Sequence, residues 1–149
     1  MRVVLGCDHA GFEMKQQILD HVKGLGHEVA DVGAHTSAPS DYPDFTEALA
    51  LAIVSRQAER GILICGSGVG SSVAANKIPG IRAGLCHDCY SAHQAVEHDN
   101  INILVLGSRV IGVELARDLV SVFLKAEFSG EERHLRRLAK VQRLETKYR

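Results

Sequence analysis

The sequence predicts an α/β protein in which a parallel sheet of five strands lies between two layers of helices. Short apolar runs alternate with helical patterns along the 149 residues. Strands separated by single helices pair in parallel through right-handed crossovers, which gives a three-layer α/β/α sandwich. The runs 61–65 and 103–106 are apolar without alternation, as expected for strands that helices cover on both faces. We expect one domain over residues 1–149, because that length buries roughly two thirds of the unfolded surface.

The bounds of these elements follow from apolar periodicity and from glycines. The predicted strands are Arg2–Cys7, Glu28–Val32, Gly61–Cys65, Arg82–Cys86 and Asn102–Leu106. The predicted helices are Gly11–Leu25, Tyr42–Arg56, Ser71–Lys77, Tyr90–Glu97 and Gly112–Lys125. Gly24 and Gly26 mark the end of the first helix, and Gly33 ends the second strand, because glycine is favoured where helices and strands stop.

A C-terminal helix is predicted after Ser129, a favourable cap that Glu131 and Glu132 follow in the first turn. At about 100° per residue, one side of this helix is an apolar stripe and the opposite side is basic. The stripe is Leu138, Val141, Leu144 and Tyr148, and the basic side is Arg136, Lys140, Arg143 and Lys147. We expect the stripe to pack on the core. Arg133 and Arg137 lie one turn apart at its edge, where two guanidinium groups suit a shared anion.

Composition excludes several classes of protein. Apolar residues make up 46% and charged residues 23% of the chain, as in ordinary globular proteins. The formal net charge of −1 argues against a nucleic-acid binder, and no apolar run reaches the ~18 residues of a membrane span. The N-terminus is already a strand without a signal-peptide pattern. The 4 cysteines, two of them inside apolar strands, indicate reduced thiols. We therefore expect a cytoplasmic protein with no nucleic-acid or membrane partner.

Polar or reactive groups follow four of the five predicted strands. In open α/β sheets, ligands bind beyond the carboxyl ends of the strands. The segments at those ends are Gly6–Gly11, Cys65–Ser71, Cys86–Cys89 and Gly107–Arg109. This clustering predicts a ligand site at the carboxyl edge of the sheet.

The loop that begins at Cys65 is rich in glycine and precedes a helix. Its glycines do not match the dinucleotide fingerprint, and it has no Walker lysine. A cysteine phosphatase would need arginine where this chain has Ser71. What remains is a nest of N–H groups that favours an anion and lowers the pKa of a thiol, so Cys65 is a candidate nucleophile or base. The alternative is a small buried cysteine that ends a strand.

Asp8 and His9 follow the first strand and would lie beside this loop if the first and third strands are neighbours. The alternative is that Asp8 caps the helix and His9 is a surface residue. Cys86 and Cys89 have the spacing of a redox or zinc pair, but the chain has no second pair, which disfavours a metal site. His98 has an alternative of its own, as an ordinary histidine at a helix C-terminus.

Together these segments resemble the ribose-5-phosphate isomerase type B family, which is related to the subunits of galactose-6-phosphate isomerase. The matching segments, in the family's order, are Gly6–Phe12, Asp41–Pro43, Ile64–Gly70, Ala74–Arg82, Leu106–Gly112 and Arg133–Arg137. The resemblance implies a Rossmann-like sandwich that interconverts ribose 5-phosphate and ribulose 5-phosphate with no metal and no cofactor. It also implies a homodimer or homotetramer with active sites at the subunit interface.

The resemblance also implies a role for each site residue. Cys65 would be the base that moves a proton between two carbons through a cis-enediolate, Ser67 would assist proton transfer at oxygen, and His98 would open the furanose ring. The substrate-binding residues would be Asp8, His9, Tyr42, Gly66, Gly68, Val69, Gly70, Ser71 and Asp99. The phosphate would be held by His9, Arg109, Arg133 and Arg137, some of them from a partner subunit.

One departure from the family pattern concerns the residues after His98. The common family order is His-Asn-Asp, in which the asparagine contacts substrate, whereas this chain has Asp99 and then Asn100. A carboxylate at position 99 would repel an enediolate unless it were turned away or protonated. The change makes another substrate an alternative, namely erythrose 4-phosphate, allose 6-phosphate or galactose 6-phosphate.

Two alternatives of other classes stay open. A phosphocysteine carrier would explain Cys65 and its loop, but not Asp8, His9, His98 and the three arginines. A sensor that binds a sugar phosphate without turnover would keep the arginines but would have no need of Cys65.

Overall fold

Five strands and six α-helices make up residues 1–148, the part of the chain that the computed structural model describes. The strands are β1 Arg2–Cys7, β2 Glu28–Asp31, β3 Arg60–Cys65, β4 Ala83–Leu85 and β5 Ile103–Gly107. The helices are α1 Phe12–Gly24, α2 Tyr42–Val54, α3 Val69–Ala75, α4 Cys89–Asp99, α5 Val113–Lys125 and α6 Glu132–Lys147. A short 3-10 helix, His9–Gly11, joins β1 to α1.

The strands form one sheet in the order β2-β1-β3-β5-β4, and every neighbouring pair is parallel. This confirms the predicted α/β fold with a five-stranded parallel sheet. β1 lies beside β3, which is the adjacency that the sequence argument for Asp8 and His9 required. β5 lies between β3 and β4, so β1, β3 and β5 are three adjacent strands. Because the strands are parallel, the segments that follow these three all begin at the carboxyl ends of the strands, which we call the carboxyl edge of the sheet.

Both faces of the sheet are buried, which explains the apolar runs without alternation. Val3 and Leu5 of β1 pack in one core with residues of α1, α4 and α5, whereas Val4 between them packs in a second core with residues of α2 and α3. Side chains alternate between the two faces of a strand, so a strand covered on both faces is apolar at successive positions. The predicted three-layer sandwich is therefore confirmed.

Arg60, at the start of β3, joins the sheet to the end of α5. Its Nη1 donates to the carbonyl of Phe123, and its Nη2 donates to the carbonyl of Ala126 at 2.7 Å. Carbonyls at a helix C-terminus lack donors within the helix, so the guanidinium supplies them. This contact fixes where the chain leaves α5 and turns toward α6.

Most predicted bounds differ from the observed ones by one or two residues, and β4 is the strand that is shortened most. It was predicted over Arg82–Cys86 and spans only Ala83–Leu85 at the edge of the sheet. The donors of Arg82 are used outside the ladder, because its N–H donates to Asn102 Oδ1 at 2.9 Å and its Nε to the Asn100 carbonyl at 2.7 Å. Its carbonyl still accepts from the Ile103 N–H of β5 at 3.3 Å. At the other end, Gly11 belongs to the 3-10 helix, and α1 begins one residue later.

Two predictions about the C-terminal helix are wrong. The cap of α6 is Glu131, not Ser129, whose hydroxyl instead accepts from the Glu131 N–H at 3.3 Å. The apolar stripe is not packed on the core, because Val141, Leu144 and Tyr148 are 50%, 55% and 75% exposed. Leu138 is half-buried, so the other three side chains of the stripe are the ones left largely uncovered by residues 1–148. No helix in this described part of the chain is both long enough and apolar enough to cross a membrane.

Candidate active site

Backbone hydrogen bonds join the segments that follow β1, β3 and β5. The Asp8 N–H donates to the Ile64 carbonyl at 3.3 Å, and the Ser108 N–H donates to the Cys65 carbonyl at 2.8 Å. The Arg109 N–H then donates to the Gly66 carbonyl at 3.0 Å. The three segments are therefore joined to one another at the carboxyl edge, which is where the sequence predicted that polar and reactive groups would cluster.

Cys65 ends β3 and is only 5% exposed. Two glycines allow the turn that follows it. Gly68 has a φ of +84°, a left-handed conformation that side chains disfavour. Gly107 on β5 lies so close to the loop that a Cβ there would stand 2.6 Å from the Ser67 carbonyl oxygen. Cys65 thus stands at the start of a loop that packs closely against β5.

The loop after Cys65 presents backbone donors that the chain itself does not use. The Val69 N–H is bonded to the Ser67 hydroxyl at 3.3 Å. The N–H groups that donate to no backbone carbonyl of residues 1–148 are those of Gly66, Ser67, Gly68, Gly70 and Ser71. The buried Ser71 hydroxyl also has no partner among these residues. Buried polar groups are normally satisfied, so a bound anion or water suits this loop.

Asp8 serves as a cap and still keeps a free oxygen. Its Oδ1 accepts from the N–H groups of Ala10 at 2.9 Å and Gly11 at 3.2 Å. The cap that the sequence argument offered as an alternative is therefore present. Oδ2 makes no hydrogen bond with residues 1–148, so the carboxylate is oriented by one oxygen and can accept from a ligand with the other.

His9 is oriented by the segment that precedes α2. Its Nδ1 accepts from the Ser40 N–H at 3.1 Å, and its own N–H donates to the Ser40 hydroxyl at 3.1 Å. A neutral ring that accepts at Nδ1 carries its proton on Nε2. His9 lines a cavity of about 500 Å³ together with Ser108 and Arg109. It is thus a half-buried donor and not a free surface residue.

Tyr42 and Arg109 flank the loop. A Cβ on Gly70 would lie 2.7 Å from the Tyr42 ring, and one on Gly66 would lie 3.6 Å from Arg109 Nη1. Arg109 forms no ion pair or side-chain hydrogen bond within residues 1–148, so its charge is available to a ligand. The structure therefore brings Asp8, His9, Tyr42, Cys65, the loop and Arg109 together at one edge.

The other predicted site residues lie near the amino ends of the strands, which we call the amino edge of the sheet. His98 and Asp99 end α4, which leads to the amino end of β5. Arg137 lines a cavity of about 460 Å³ with Asp99 and with Ala83, the first residue of β4. The sheet itself separates the two groups, because a strand of five residues spans ~17 Å. Within one chain, His98, Asp99, Arg133 and Arg137 are therefore not brought together with Cys65.

The amino-edge group has a defined geometry. The His98 Nδ1 accepts from the Gln94 side-chain amide at 2.8 Å, and the His98 ring stacks on that of His134 with centroids 4.1 Å apart. A neutral His98 then carries its proton on Nε2. Arg137 forms no ion pair within residues 1–148. His98 is thus more than an ordinary C-terminal histidine, because two neighbours orient its ring.

Two side chains of the segment Cys86–Cys89 form hydrogen bonds within the chain. The Asp88 carboxylate caps α4 by accepting from the Ser91 N–H at 2.7 Å, and these hydrogen bonds lower the pKa of Asp88. His87 Nε2 accepts from the Gly107 N–H at 2.9 Å. Cys86 is buried while Cys89 is exposed. Residues 1–148 contain no group of three or more His, Cys, Asp or Glu side chains placed to hold a metal ion.

Three residues near the site were missed by sequence reasoning. Ser40 holds His9, His87 holds the N–H of Gly107, and His134 stacks on His98. Ser40 and His87 carry no pattern that identifies them. His134 did have a signal, since it lies between the two arginines of the segment Arg133–Arg137, but spacing alone gave it no role.

Known proteins resemble this chain over nearly its full length. The model of the ribose/galactose isomerase family matches residues 3–141. Ribose-5-phosphate isomerase B of Escherichia coli is 43% identical over 144 residues, which cover 97% of this chain and 96% of that protein. D-erythrulose-4-phosphate isomerase of Pectobacterium atrosepticum is 40% identical over 131 residues, 87% of this chain and 86% of that protein. A solved structure of Clostridium thermocellum ribose-5-phosphate isomerase B is 48% identical, with 100% of both chains covered and a TM-score of 0.97.

Proposed function

This chain belongs to the ribose/galactose isomerase family and is a sugar-phosphate isomerase, and we propose that it interconverts ribose 5-phosphate and ribulose 5-phosphate. The observation that carries the proposal is the buried thiol of Cys65 beside a loop with unused N–H donors. The full-length similarity to ribose-5-phosphate isomerase B of Escherichia coli supports the choice of sugar.

Cys65 acts as the base in the proposed reaction. As a thiolate it removes the proton from C2 of the open-chain aldose. The C–H electron pair forms the C1–C2 double bond while the π electrons of the C1 carbonyl move onto O1, which gives a cis-enediolate. The thiol then returns the proton to C1, and Ser67 relays a proton between the two oxygens. A well-placed base contributes roughly 10²–10⁴-fold to such a rate. The reaction therefore needs no further acid or base at carbon.

The unused N–H groups of the loop stabilise the charge that develops on the enediolate oxygen. Removing one oxyanion donor typically costs roughly 10²–10³-fold in kcat, because fixed dipoles in a dry site need no reorganisation. The loop is held in place for this role, because Gly107 packs against Ser67 and Tyr42 packs against Gly70. Asp8 Oδ2 and the Tyr42 hydroxyl are the groups placed to bind the sugar hydroxyls.

The active site is completed by a second copy of this chain. His98, Arg133 and Arg137 lie at the far edge of the sheet from Cys65, so a partner in the opposite orientation supplies them. The uncovered apolar stripe of α6 gives such a partner a surface to bury. In a two-fold dimer each copy gives its carboxyl edge to one site and its amino edge to the other.

The phosphate is held between the two copies. His9 Nε2 and Arg109 reach it from one chain, and Arg133 and Arg137 from the other. Planar guanidinium groups suit phosphate because they donate paired hydrogen bonds. His98 of the partner copy, with its proton on Nε2, donates to the ring oxygen when the furanose opens.

A second candidate substrate is a tetrose phosphate, and Asp99 is the observation that favours it. Asp99 lies in the same cavity as Arg137, and this chain is 40% identical to the D-erythrulose-4-phosphate isomerase of Pectobacterium atrosepticum. A carboxylate in place of the asparagine of the common family order changes the charge of this cavity, and a different sugar phosphate is the alternative that this change supports.

The deciding experiment is conversion of ribose 5-phosphate in EDTA by wild type, Cys65→Ala and Cys65→Ser, with erythrose 4-phosphate, allose 6-phosphate and galactose 6-phosphate in parallel. Wild-type turnover of ribose 5-phosphate that both variants lose supports the thiol base. Turnover of another sugar alone reassigns the substrate, and Asp99→Asn is then the first variant to test. No turnover of any sugar by folded wild type contradicts the proposal and favours the carrier or the sensor.

A further inference from the structure

His134 is the only buried residue among the described residues of α6, with 2% of its surface exposed. Arg133 before it and Leu135 after it are both exposed. Both ring nitrogens are engaged, because Nδ1 is 2.7 Å from the Ser129 hydroxyl and Nε2 is 3.2 Å from Arg133 Nε. A fully bonded, buried imidazole on an otherwise exposed basic helix calls for a role.

The hydrogen bonds fix the protonation state of this ring. The guanidinium of Arg133 can only donate, so Nε2 of His134 accepts and carries no proton. The proton is therefore on Nδ1 and is donated to Ser129. Burial lowers the pKa of His134, and the surrounding charges lower it further on balance. The titratable or charged groups that face the ring are His98 from α4 and Glu131, Arg133 and Arg137 from α6.

The contact orients Arg133 without consuming its phosphate-binding atoms. Arg133 uses only Nε, which lies 3.2 Å from His134 Nε2 and 3.2 Å from Glu131 Oε2. Its two terminal nitrogens make no hydrogen bond with residues 1–148. The guanidinium group is thus held through Nε. Its two terminal nitrogens, which are the paired donors that suit a phosphate, are left free.

One face of the His134 ring contacts His98. The two rings stack at 4.1 Å with 29° between their planes. Gln94 holds Nδ1 of His98, so the stack leaves Nε2 as the unengaged atom. One neutral ring therefore contacts both Arg133 and His98, two of the four candidate site residues that α4 and α6 bring to the amino edge.

We propose that His134 is a positioning residue, which orients Arg133 toward the phosphate and His98 toward the ring oxygen of a substrate bound to the partner copy. The inference rests on the proposed function. His134 would then have two separate effects. Its acceptor at Nε2 would affect phosphate binding through Arg133, and its ring face would affect kcat through His98.

Two variants at this position test the separation. His134→Phe keeps the stacked ring and removes the acceptor, so KM for ribose 5-phosphate and Ki for inorganic phosphate should rise roughly fivefold to tenfold with kcat changed less than about twofold. His134→Gln keeps an acceptor where Nε2 stands and removes the ring. It should leave the phosphate Ki within about twofold and lower kcat roughly tenfold, because His98 loses its support.

Ser129→Ala provides a milder test in a variant that keeps the buried ring. It removes the partner of Nδ1 and should raise the phosphate Ki in the same direction as His134→Phe, by a smaller factor. Unchanged phosphate Ki and kcat in all three variants, with only thermal stability lowered, would overturn the positioning role while wild-type turnover keeps the proposed function. Absence of wild-type turnover in the same assay would overturn both.

Discussion

Mixing Cys65→Ala chains with Arg137→Ala chains should restore turnover that neither variant has alone. Each variant by itself should have every site defective, because each site of the proposed homodimer would contain the altered residue. In a mixed dimer, one site combines both alterations and the other combines wild-type Cys65 with wild-type Arg137. The sheet sets this outcome, since ~17 Å of strand separates the two edges of one chain.

The expected recovery follows from counting. Random exchange of equal amounts makes about half of the dimers mixed, and one of their two sites is intact, which gives about a quarter of the wild-type activity per chain. The background is low, because loss of one buried charged partner typically costs ~2–5 kcal/mol, or roughly 30-fold to several thousandfold. Recovery is measured after the two differently tagged variants are unfolded and refolded together.

A matched pair controls for trivial recovery. Cys65→Ala and Arg109→Ala alter the same edge of the chain, so their mixture should stay as inactive as its components. If mixed dimers of Cys65→Ala and Arg137→Ala form, as the two tags would show, and turnover stays absent, the shared site is refuted. Equal recovery by the control pair would refute it as well.

Three further predictions concern stability. Gly107→Ala should lower the free energy of unfolding by about 1–3 kcal/mol and also lower kcat, because its Cβ meets the Ser67 carbonyl, whereas the control Gly24→Ala, with nothing within 4 Å, should be neutral or slightly stabilising. Arg60→Met should cost about 1.5–3 kcal/mol in urea unfolding, because two helix-end carbonyls lose a charged donor. The lowered pKa of His134 means that the unfolded chain binds more protons, so stability should fall as pH drops below about 6.5, and less so in His134→Phe.

The sequence was informative wherever local pattern and burial agree. The apolar runs of β3 and β5 are covered on both faces, so their composition predicted both the strands and the layers. These inferences needed only chain order and side-chain polarity. The proximity of Asp8 to the Cys65 loop was expected only if the first and third strands are neighbours, and the strand order of the structure meets that condition.

Other features depend on contacts between distant segments, which no local pattern records. The N–H of Arg82 donates to the side chain of Asn102 and not to a neighbouring strand, and the Ser129 hydroxyl contacts His134 instead of capping α6. The stripe of α6 has the periodicity of a packed helix, but periodicity does not say what covers it.

The placement of the two residue groups at opposite ends of the strands has a consequence for how the enzyme responds to dilution. Under the proposed shared site, a lone chain would hold either Cys65 or His98 at any one site and never both, so an isolated protomer should be inactive. When chains are mostly dissociated, the rate should rise with the square of the chain concentration, and substrate should favour association because its phosphate joins the two copies. Catalysis would then be a direct readout of assembly.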